Sequence, residues 1–377
     1  MTIEPLSPAL QTISNEIFCA QDYEVLSKKF IQPATYAYIS GGSGQDLTLL
    51  ANVNSFKKRQ IFPRILQDCA QGSTQTKLLG HSLRSPILLA PVAYQKLVHP
   101  QGELATVQAA EAMDIPLILS TLASQTLEDV AQKTEQIKWF QLYFQPTTQE
   151  TLLLVKRAEQ AGYSALVVTL DATIQVPSVQ AKKAGFVMPQ DMVAVNVQNS
   201  TDLKKRVLDA DDSLIFQGIM AEAPQWQDLQ WLQSQTELPI IVKGVMHPND
   251  AVRLKEMGIS GIVVSNHGGR GLDGAPASLD VLPLIRKAVG ENYPLLFDGG
   301  IRSGQDIFKA LALGANSVLI GRLQVYALAV SGALGVAHLL KLLQEELEVC
   351  MAMAGCASIE EINQQALYES HSSFTVE

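Results

Sequence analysis

The stretch FDGGIRSGQDIFKALALGANSVLIGR, Phe297 to Arg322, contains two apolar runs, each closed by glycine and arginine, with a helical pattern between them. Its runs, PLLFDGG (Pro294–Gly300) and SVLIGR (Ser317–Arg322), are short and continuously apolar, as in strands buried on both faces of a parallel sheet. Working outward, the same unit recurs in ILLAPVA (Ile87–Ala93), LILST (Leu117–Thr121), KWFQLYF (Lys138–Phe144), ALVVTLD (Ala165–Asp171), PIIVKGV (Pro239–Val245) and GIVVSN (Gly261–Asn266). The intervening segments read as helices. Two examples are ETLLLVKRAEQAG (Glu150–Gly162) and PNDAVRLKEMG (Pro248–Gly258), the second with Pro inside its start and Gly at its end. Eight strands alternating with helices predict an α/β fold, a (β/α)8 TIM barrel. A doubly wound sheet is the rival. The count of eight argues against it, and so do the polar or glycine residues that end nearly every run: Gln141 and Tyr143, Asp171, Lys243, Asn266 and His267, Asp298 and Gly300, Gly321 and Arg322. In a barrel these meet on one rim, where the chemistry of such folds resides.

The whole chain, residues 1–377, reads as one domain. Residues 1–86 form an N-terminal helical extension packed beside the barrel, 87–322 hold the barrel strands, and 323–377 form C-terminal helices. The interval from Asp171 to Pro239 is far longer than the others. Its polar, aperiodic part from Thr173 to Ser213 predicts a long loop after the fourth strand, acting as a lid over the rim.

Hydrophobic residues make up 47% of the chain and charged residues 17%, which excludes a disordered protein. A net charge of −9 excludes a general basic surface for nucleic acid or anionic lipid and favours small-molecule chemistry. Cys19, Cys69, Cys350 and Cys356 show no CxxC spacing, so neither a disulfide framework nor a metal cluster is expected. MTIEPLSPAL does not read as a signal peptide, and the terminal FTVE is no peroxisomal or retention address. The apolar run Val325–Leu342 is interrupted by Gly332 and Gly335 and reads as a buried helix, not a membrane span. These features predict a cytoplasmic protein without membrane attachment.

The densest chemical signal is SNHGGRGLD, Ser265 to Asp273. A strand runs directly into a histidine able to take a proton near neutral pH, two glycines that permit close backbone approach, and the planar cationic fork of Arg270. A base and an anion clamp three residues apart suit proton abstraction from a small acid. The glycine loops after the last two strands, with Arg302 and Arg322, match the usual barrel phosphate site. Lys243, at a strand end, fits a Schiff base, an anion site or stabilisation of a reduced cofactor. Gln141 and Tyr143 share one side of their strand, and Asp171 is placed to orient a histidine. By themselves these residues are equally compatible with a sugar-phosphate enzyme.

SNHGGRGLDG and the Phe297–Arg322 stretch resemble the flavin-dependent 2-hydroxy-acid oxidases and dehydrogenases, a family that includes glycolate oxidase and lactate oxidase. The resemblance runs from TYAYISGGSGQDLTLLANVNSF (Thr35–Phe56) through LLAPVAYQKLVHPQGE, WFQLYF, VVTLD and PIIVKGV to MAMAGCASIEEI (Met351–Ile362), nearly the whole chain. It implies an FMN-binding barrel that oxidises a 2-hydroxy acid to the 2-keto acid by moving a hydride equivalent to flavin N5. Pro91, Val92 and Ala93 would contact the flavin through backbone, and Ser120, Gln141 and Thr169 would bond its polar edge. Lys243 would lie near flavin N1 and C2=O, and Ser265 would bind the flavin's ribityl side. Asp298, Gly300, Arg302, Gly321 and Arg322 would hold ribityl and phosphate. His267 would be the base, tuned by Asp171; Tyr38 and Tyr143 would reach substrate oxygens, and Arg270 would hold the carboxylate. The implied partners are a small 2-hydroxy acid and an electron acceptor, oxygen or another, in a homo-oligomer, a tetramer.

Three positions depart from the family pattern. Ser178 stands where the family usually carries an arginine as second cation for the carboxylate, with Lys182 and Lys183 displaced along the loop. Leu122 replaces an aromatic residue of several members, and Tyr94 follows the PVA segment toward the pocket. Loss of one charged hydrogen bond, about 1.5–3 kcal/mol, corresponds to roughly 10- to 150-fold weaker binding of a small acid. Besides lactate- or glycolate-like acids, two alternatives therefore remain: the same fold acting on a larger acid or a hydroxy or amino compound lacking a carboxylate, and a flavin-binding protein without turnover.

Overall fold

In the computed structural model, residues 6–174, 176, 178–197, 208–209 and 211–368 are described. The barrel strands are β1 (Ile87–Leu89), β2 (Leu117–Ser120), β3 (Lys138–Leu142), β4 (Leu166–Thr169), β5 (Ile240–Val245), β6 (Gly261–Val264), β7 (Leu295–Asp298) and β8 (Ser317–Ile320). All pair in parallel and in order, with β8 returning to β1, so the barrel closes. Eight helices follow: α1 (Glu103–Met113), α2 (Leu127–Ala131), α3 (Thr148–Gln160), α4 (Trp226–Gln235), α5 (Pro248–Glu256), α6 (Ser278–Val289), α7 (Gly304–Ala312) and α8 (Arg322–Ala354).

The continuous apolar runs have a direct physical reason. One apolar residue from each strand, Leu88, Ile118, Trp139, Val167, Ile241, Val263, Leu296 and Leu319, belongs to a single buried cluster inside the barrel. Their neighbours, such as Ile87 and Leu89 or Leu295 and Phe297, belong to a second cluster shared with the helices. Both faces are dry, so both alternate sets are apolar. Local chemistry starts the helices: Thr147 and Glu150 form a capping box on α3, and Ser303 caps α7 by accepting from the Asp306 N–H. The strands end before the expected runs do, because residues such as Pro91–Ala93 and Ser265–His267 leave the ladder to form the rim.

Residues before β1 do more than lie beside the barrel. The hairpin Thr76–Leu78/His81–Leu83 places Leu78 and Leu83 in the interior cluster, plugging the barrel's end. Helices Pro33–Ser40 and Leu47–Lys57 reach the opposite rim, and Gln60–Ile61 pairs with Leu367–Tyr368. The C-terminal region is less helical than expected: after α8 come two short 3-10 turns and that strand, and residues 369–377 lie outside the described residues. Helix α8 is long and apolar enough to cross a membrane, but 78% of its apolar window is buried within the protein. It breaks at Ser331 and Gly332, where φ/ψ leave the helical range. In the expected lid, Thr173 to Ser213, residues 175, 177, 198–207 and 210 lie outside the described residues; a short helix, Val179–Lys183, forms within it, and the turns of Leu214–Glu222 follow it.

Candidate active site

A cavity of about 720 Å3 opens at the C-terminal rim. Tyr38, Pro91, Val92, Ala93, Tyr143, Lys243, His267, Arg270, Asp298, Gly300, Arg302, Gly321 and Arg322 all line it. Residues from the N-terminal segment, six strand ends and their loops thus converge on one space. Gln141, Thr169, Ser120, Asp171 and Ser265 lie behind this wall.

His267 adopts a left-handed backbone, φ 59°, costly for a non-glycine residue. Its Nδ1 lies 2.9 Å from Asp171 Oδ1, with the carboxylate accepting. Nε2 is then the free ring nitrogen on a side chain that is 27% exposed. Burial alone would raise the Asp171 carboxyl; His267 and Lys243 outweigh it and hold it below its ordinary range. Only glycine at 244 allows this approach, because a Cβ there would meet Asp171 Cβ at 2.5 Å. Lys243 is buried. Desolvation opposes its charge, but Asp298, 3.2 Å away, and then Asp171 and Tyr143 keep its ammonium above its usual value. Burial pushes the Tyr143 phenol up to about 12, so it remains a hydrogen-bond donor at neutral pH.

Arg270 is pinned from behind: its Nη1 donates to the carbonyls of Tyr38 at 2.8 Å and Gly41 at 3.0 Å. The guanidinium also lies 5.0 Å from the Tyr38 ring centroid. Tyr38 in turn stacks on Phe186 at 4.3 Å. Arg322 donates to the carbonyls of Ile39, Gly268 and Gly41, tying the Pro33–Ser40 helix to the His267 loop. Burial, and next the neighbouring Arg270, push Arg322 down to about 10, still cationic at neutral pH. Arg302 pairs through Nε with Glu24 at 2.8 Å.

Ser120 faces Gln141 across β2 and β3, and Thr169 faces Lys243 across β4 and β5. Gln141 Oε1 accepts from the Thr121 N–H at 3.1 Å, and among the described residues Gln141 Nε2 and Thr169 Oγ1 are buried without a hydrogen-bond partner. Buried polar atoms are rarely left so. A buried donor and a buried hydroxyl on neighbouring strands match the polar edge of a planar heterocycle. At Gly321 a Cβ would meet only Ala90 Cβ, at 4.0 Å, which leaves open cavity beside its backbone. A phosphate-bearing flavin fits this donor set.

Ser178 and Lys182 also line the cavity, as do Leu122, Tyr94, Phe186 and Met188; Lys183 does not. The Ser178 hydroxyl caps the Val179–Lys183 helix by accepting from the Ala181 N–H. Sequence reasoning missed the braces behind the site. Asp273 accepts from the N–H groups of Gln45 and Thr48, and Asn52 and Asn266 exchange two hydrogen bonds of 2.8 Å. The acidic residue of GLDG and the asparagine beside His267 were the available signals.

The family model described as FMN-dependent dehydrogenase matches residues 27–369. The chain belongs to this family. As an FMN-dependent dehydrogenase family member it is an FMN-using oxidoreductase, as the resemblance implied. It is 52% identical to an L-lactate oxidase of Alicycliphilus denitrificans over 94% of this chain and 97% of that protein. An L-lactate oxidase of Nostoc sp. is 41% identical over 92% of this chain and 97% of its own length. A peroxisomal (S)-2-hydroxyacid oxidase of Arabidopsis thaliana is 37% identical over 92% and 95%. Among solved structures, a mandelate oxidase with (S)-2-phenylpropionate superposes with a TM-score of 0.84 at 36% identity, covering 93% of this chain and 98% of that one.

Proposed function

We propose that the protein oxidises a small L-2-hydroxy acid of lactate type to the 2-keto acid. The observation that carries this reading is the His267–Asp171 pair, with His267 lining the same cavity as Arg270 and Tyr143, together with the Gln141 and Thr169 atoms left without partners among the described residues. Bound FMN supplies the acceptor for the C2 hydrogen and its electron pair. His267 Nε2 takes the 2-hydroxyl proton, and Asp171 stabilises the resulting imidazolium. Arg270 holds the carboxylate, with Tyr38 and Tyr143 donating to substrate oxygens. Lys243 offsets negative charge that builds up in the site on reduction. Gln141, Thr169 and Ser120 would hold the ring edge, Pro91–Ala93 its face, and Gly300, Arg302, Gly321 and Arg322 the phosphate arm, with Asp298 beside them.

The relatives' names support oxygen as electron acceptor. A cytoplasmic homotetramer is the assembly this reading carries. A second reading, a larger acid, is favoured by the aliphatic wall at Leu122 and by Ser178, whose hydroxyl is committed to a helix cap. Retention of the His267–Asp171 pair speaks against a protein without turnover.

The test is anaerobic titration of the purified protein with L-lactate, glycolate, mandelate and a longer 2-hydroxy acid while the oxidised-flavin band is followed. The band bleaches with at least one acid, and the fastest reports pocket size. The His267→Ala variant binds FMN and stays yellow. A wild-type protein that stays yellow with all four refutes the substrate class; a His267→Ala variant that bleaches normally refutes the base.

A further inference from the structure

The turn after β1 carries an aromatic side chain that the proposed mechanism does not use. Tyr94 adopts a left-handed backbone, φ 54° and ψ 45°, directly before the short 3-10 turn Gln95–Leu97. Such a conformation is unfavourable for a residue with a side chain and persists only where its surroundings dictate it. Here three successive backbone N–H groups are held. That of Tyr94 donates to the Leu122 carbonyl at 3.1 Å. That of Gln95 donates to Glu103 Oε1 at 3.2 Å, and that of Lys96 to Ser124 Oγ at 3.1 Å. Glu103, the first residue of α1, and Ser124, in the loop after β2, close the staple. Glu103 Oε1 accepts from the Ser124 N–H at 2.9 Å and Oε2 from the Ser124 hydroxyl at 2.7 Å, and both residues are buried. The staple bears on the cavity because Tyr94 and Leu122 both line it, with Tyr38 and Val92. Leu122 leaves its part of the wall aliphatic, while Tyr94 sets an aromatic ring on the adjoining loop. The Tyr94 phenol lies near that of Tyr38: burial first, and then this neighbour, push it up.

We propose that Tyr94 is a specificity-determining residue that limits the size of the acid's 2-substituent, and that Glu103 and Ser124 are the positioning residues that hold its ring in the cavity wall. The inference rests on the reading that this cavity takes a 2-hydroxy acid. The hydroxyl, carboxylate and C2 hydrogen are common to all such acids, and only the 2-substituent differs. A residue that acts on size therefore shows itself in the ratio between a long and a short acid. Fitting or excluding one methylene in an apolar pocket is worth about 10- to 200-fold in that ratio, and a phenol ring occupies more room than one methylene.

The experiment compares wild type, Tyr94→Phe, Tyr94→Leu, Ser124→Ala and the double variant of Tyr94→Leu with Ser124→Ala. Two quantities are read: the FMN dissociation constant of each apoprotein, and the second-order rate constants of anaerobic flavin reduction by L-2-hydroxyhexanoate and by L-lactate, taken as a ratio. Tyr94→Leu raises the ratio of long to short acid at least tenfold, with FMN affinity within threefold of wild type. Tyr94→Phe keeps the ratio within threefold, because the ring and not the hydroxyl sets the size. Ser124→Ala, which frees the Lys96 N–H, raises the ratio about two- to fivefold and adds nothing in the Tyr94→Leu background, as two changes acting through one group do. A Tyr94→Leu ratio within threefold of wild type overturns the proposal. So does a Tyr94→Leu variant that binds FMN at least tenfold more weakly, which makes the ring part of the flavin seat. An equal gain from Ser124→Ala with and without the ring overturns the positioning role. Wild type that takes up FMN but is reduced by neither acid refutes the functional reading instead. The ratio of the two acids' dissociation constants, read from perturbation of the flavin band in wild type and Tyr94→Leu, still decides the role of Tyr94.

Discussion

Replacing Asp171 by Asn tests the acid–base pair at its least forgiving point. The carboxylate accepts from His267 Nδ1 at 2.9 Å, while its other oxygen is buried without a partner among the described residues. Neither orientation of the amide reproduces this. With its NH2 toward His267, the amide forces the imidazole into the tautomer that carries its proton on Nε2, where a base needs a lone pair. With its oxygen toward His267, the NH2 sits in the buried pocket beside Gly244 with no acceptor, at a cost of about 1–3 kcal/mol. Charge is lost either way, and a hydrogen bond to the developing imidazolium is worth about 1.5–3 kcal/mol. At 1.36 kcal/mol per factor of ten, the reduction rate falls about 10- to 150-fold. Stopped-flow flavin reduction by L-lactate without oxygen measures it, with FMN affinity as the control for folding. A variant that retains FMN and reduces it within threefold of wild type would show that Asp171 does not tune the base. The same residue has a pH signature. Its folded carboxyl lies below the ordinary value of about 3.9, so the stabilisation from the ionised pair is complete above that pH. It fades as pH falls through the lower folded value, and acid unfolding of Asp171→Asn lacks this contribution.

Two further substitutions probe the cofactor edge and the mouth of the cavity. Gln141→Leu removes the partnerless Nε2 donor and the acceptor of the Thr121 N–H; FMN then binds about three- to tenfold more weakly in a fluorescence titration of apoprotein, at roughly 0.5–1.5 kcal/mol per hydrogen bond, and unchanged affinity would remove Gln141 from the flavin site. Lys182→Ala removes an exposed cation from the cavity wall; the KM for L-lactate rises about two- to fivefold, as for exposed pairs of roughly 0.2–1 kcal/mol, and the difference shrinks at high salt. A KM unaffected at low salt would exclude Lys182 from substrate capture.

The barrel was legible because its physics is repetitive. A strand buried on both faces is apolar along most of its length, and Leu88, Trp139 or Leu319 inside the barrel are matched by neighbours that face the helices. The rim was legible for the complementary reason: polar residues at the ends of such runs have no structural excuse there. Where the strands stop was less legible, because Pro91–Ala93 and Ser265 are as short and apolar-flanked as the ladder they leave. The N-terminal segment was least legible. Much of its contribution to the site consists of single contacts across more than 200 residues of sequence, such as Thr48 to Asp273 and Asn52 to Asn266, and no local period announces such pairs.

The charged residues teach the same lesson at the site itself. Sequence spacing identified Arg270 and Arg322 as cations on one rim, but not that both are braced by backbone carbonyls of the Tyr38–Gly41 segment. That segment therefore sets the aim of two guanidinium groups as well as contributing Tyr38. Position 178 is the sharper case. In sequence it reads as a missing arginine. In the structure its hydroxyl starts a helical turn, and a residue four positions into that turn, Lys182, stands on the cavity wall beside it. A cation delivered by a capped helix on an exposed loop is more screened and less rigid than an arginine fixed at the strand end. Substrate binding in this chain should accordingly depend on ionic strength more than on the shape of a bidentate clamp, a dependence that the KM of wild type and Lys182→Ala across a salt series resolves.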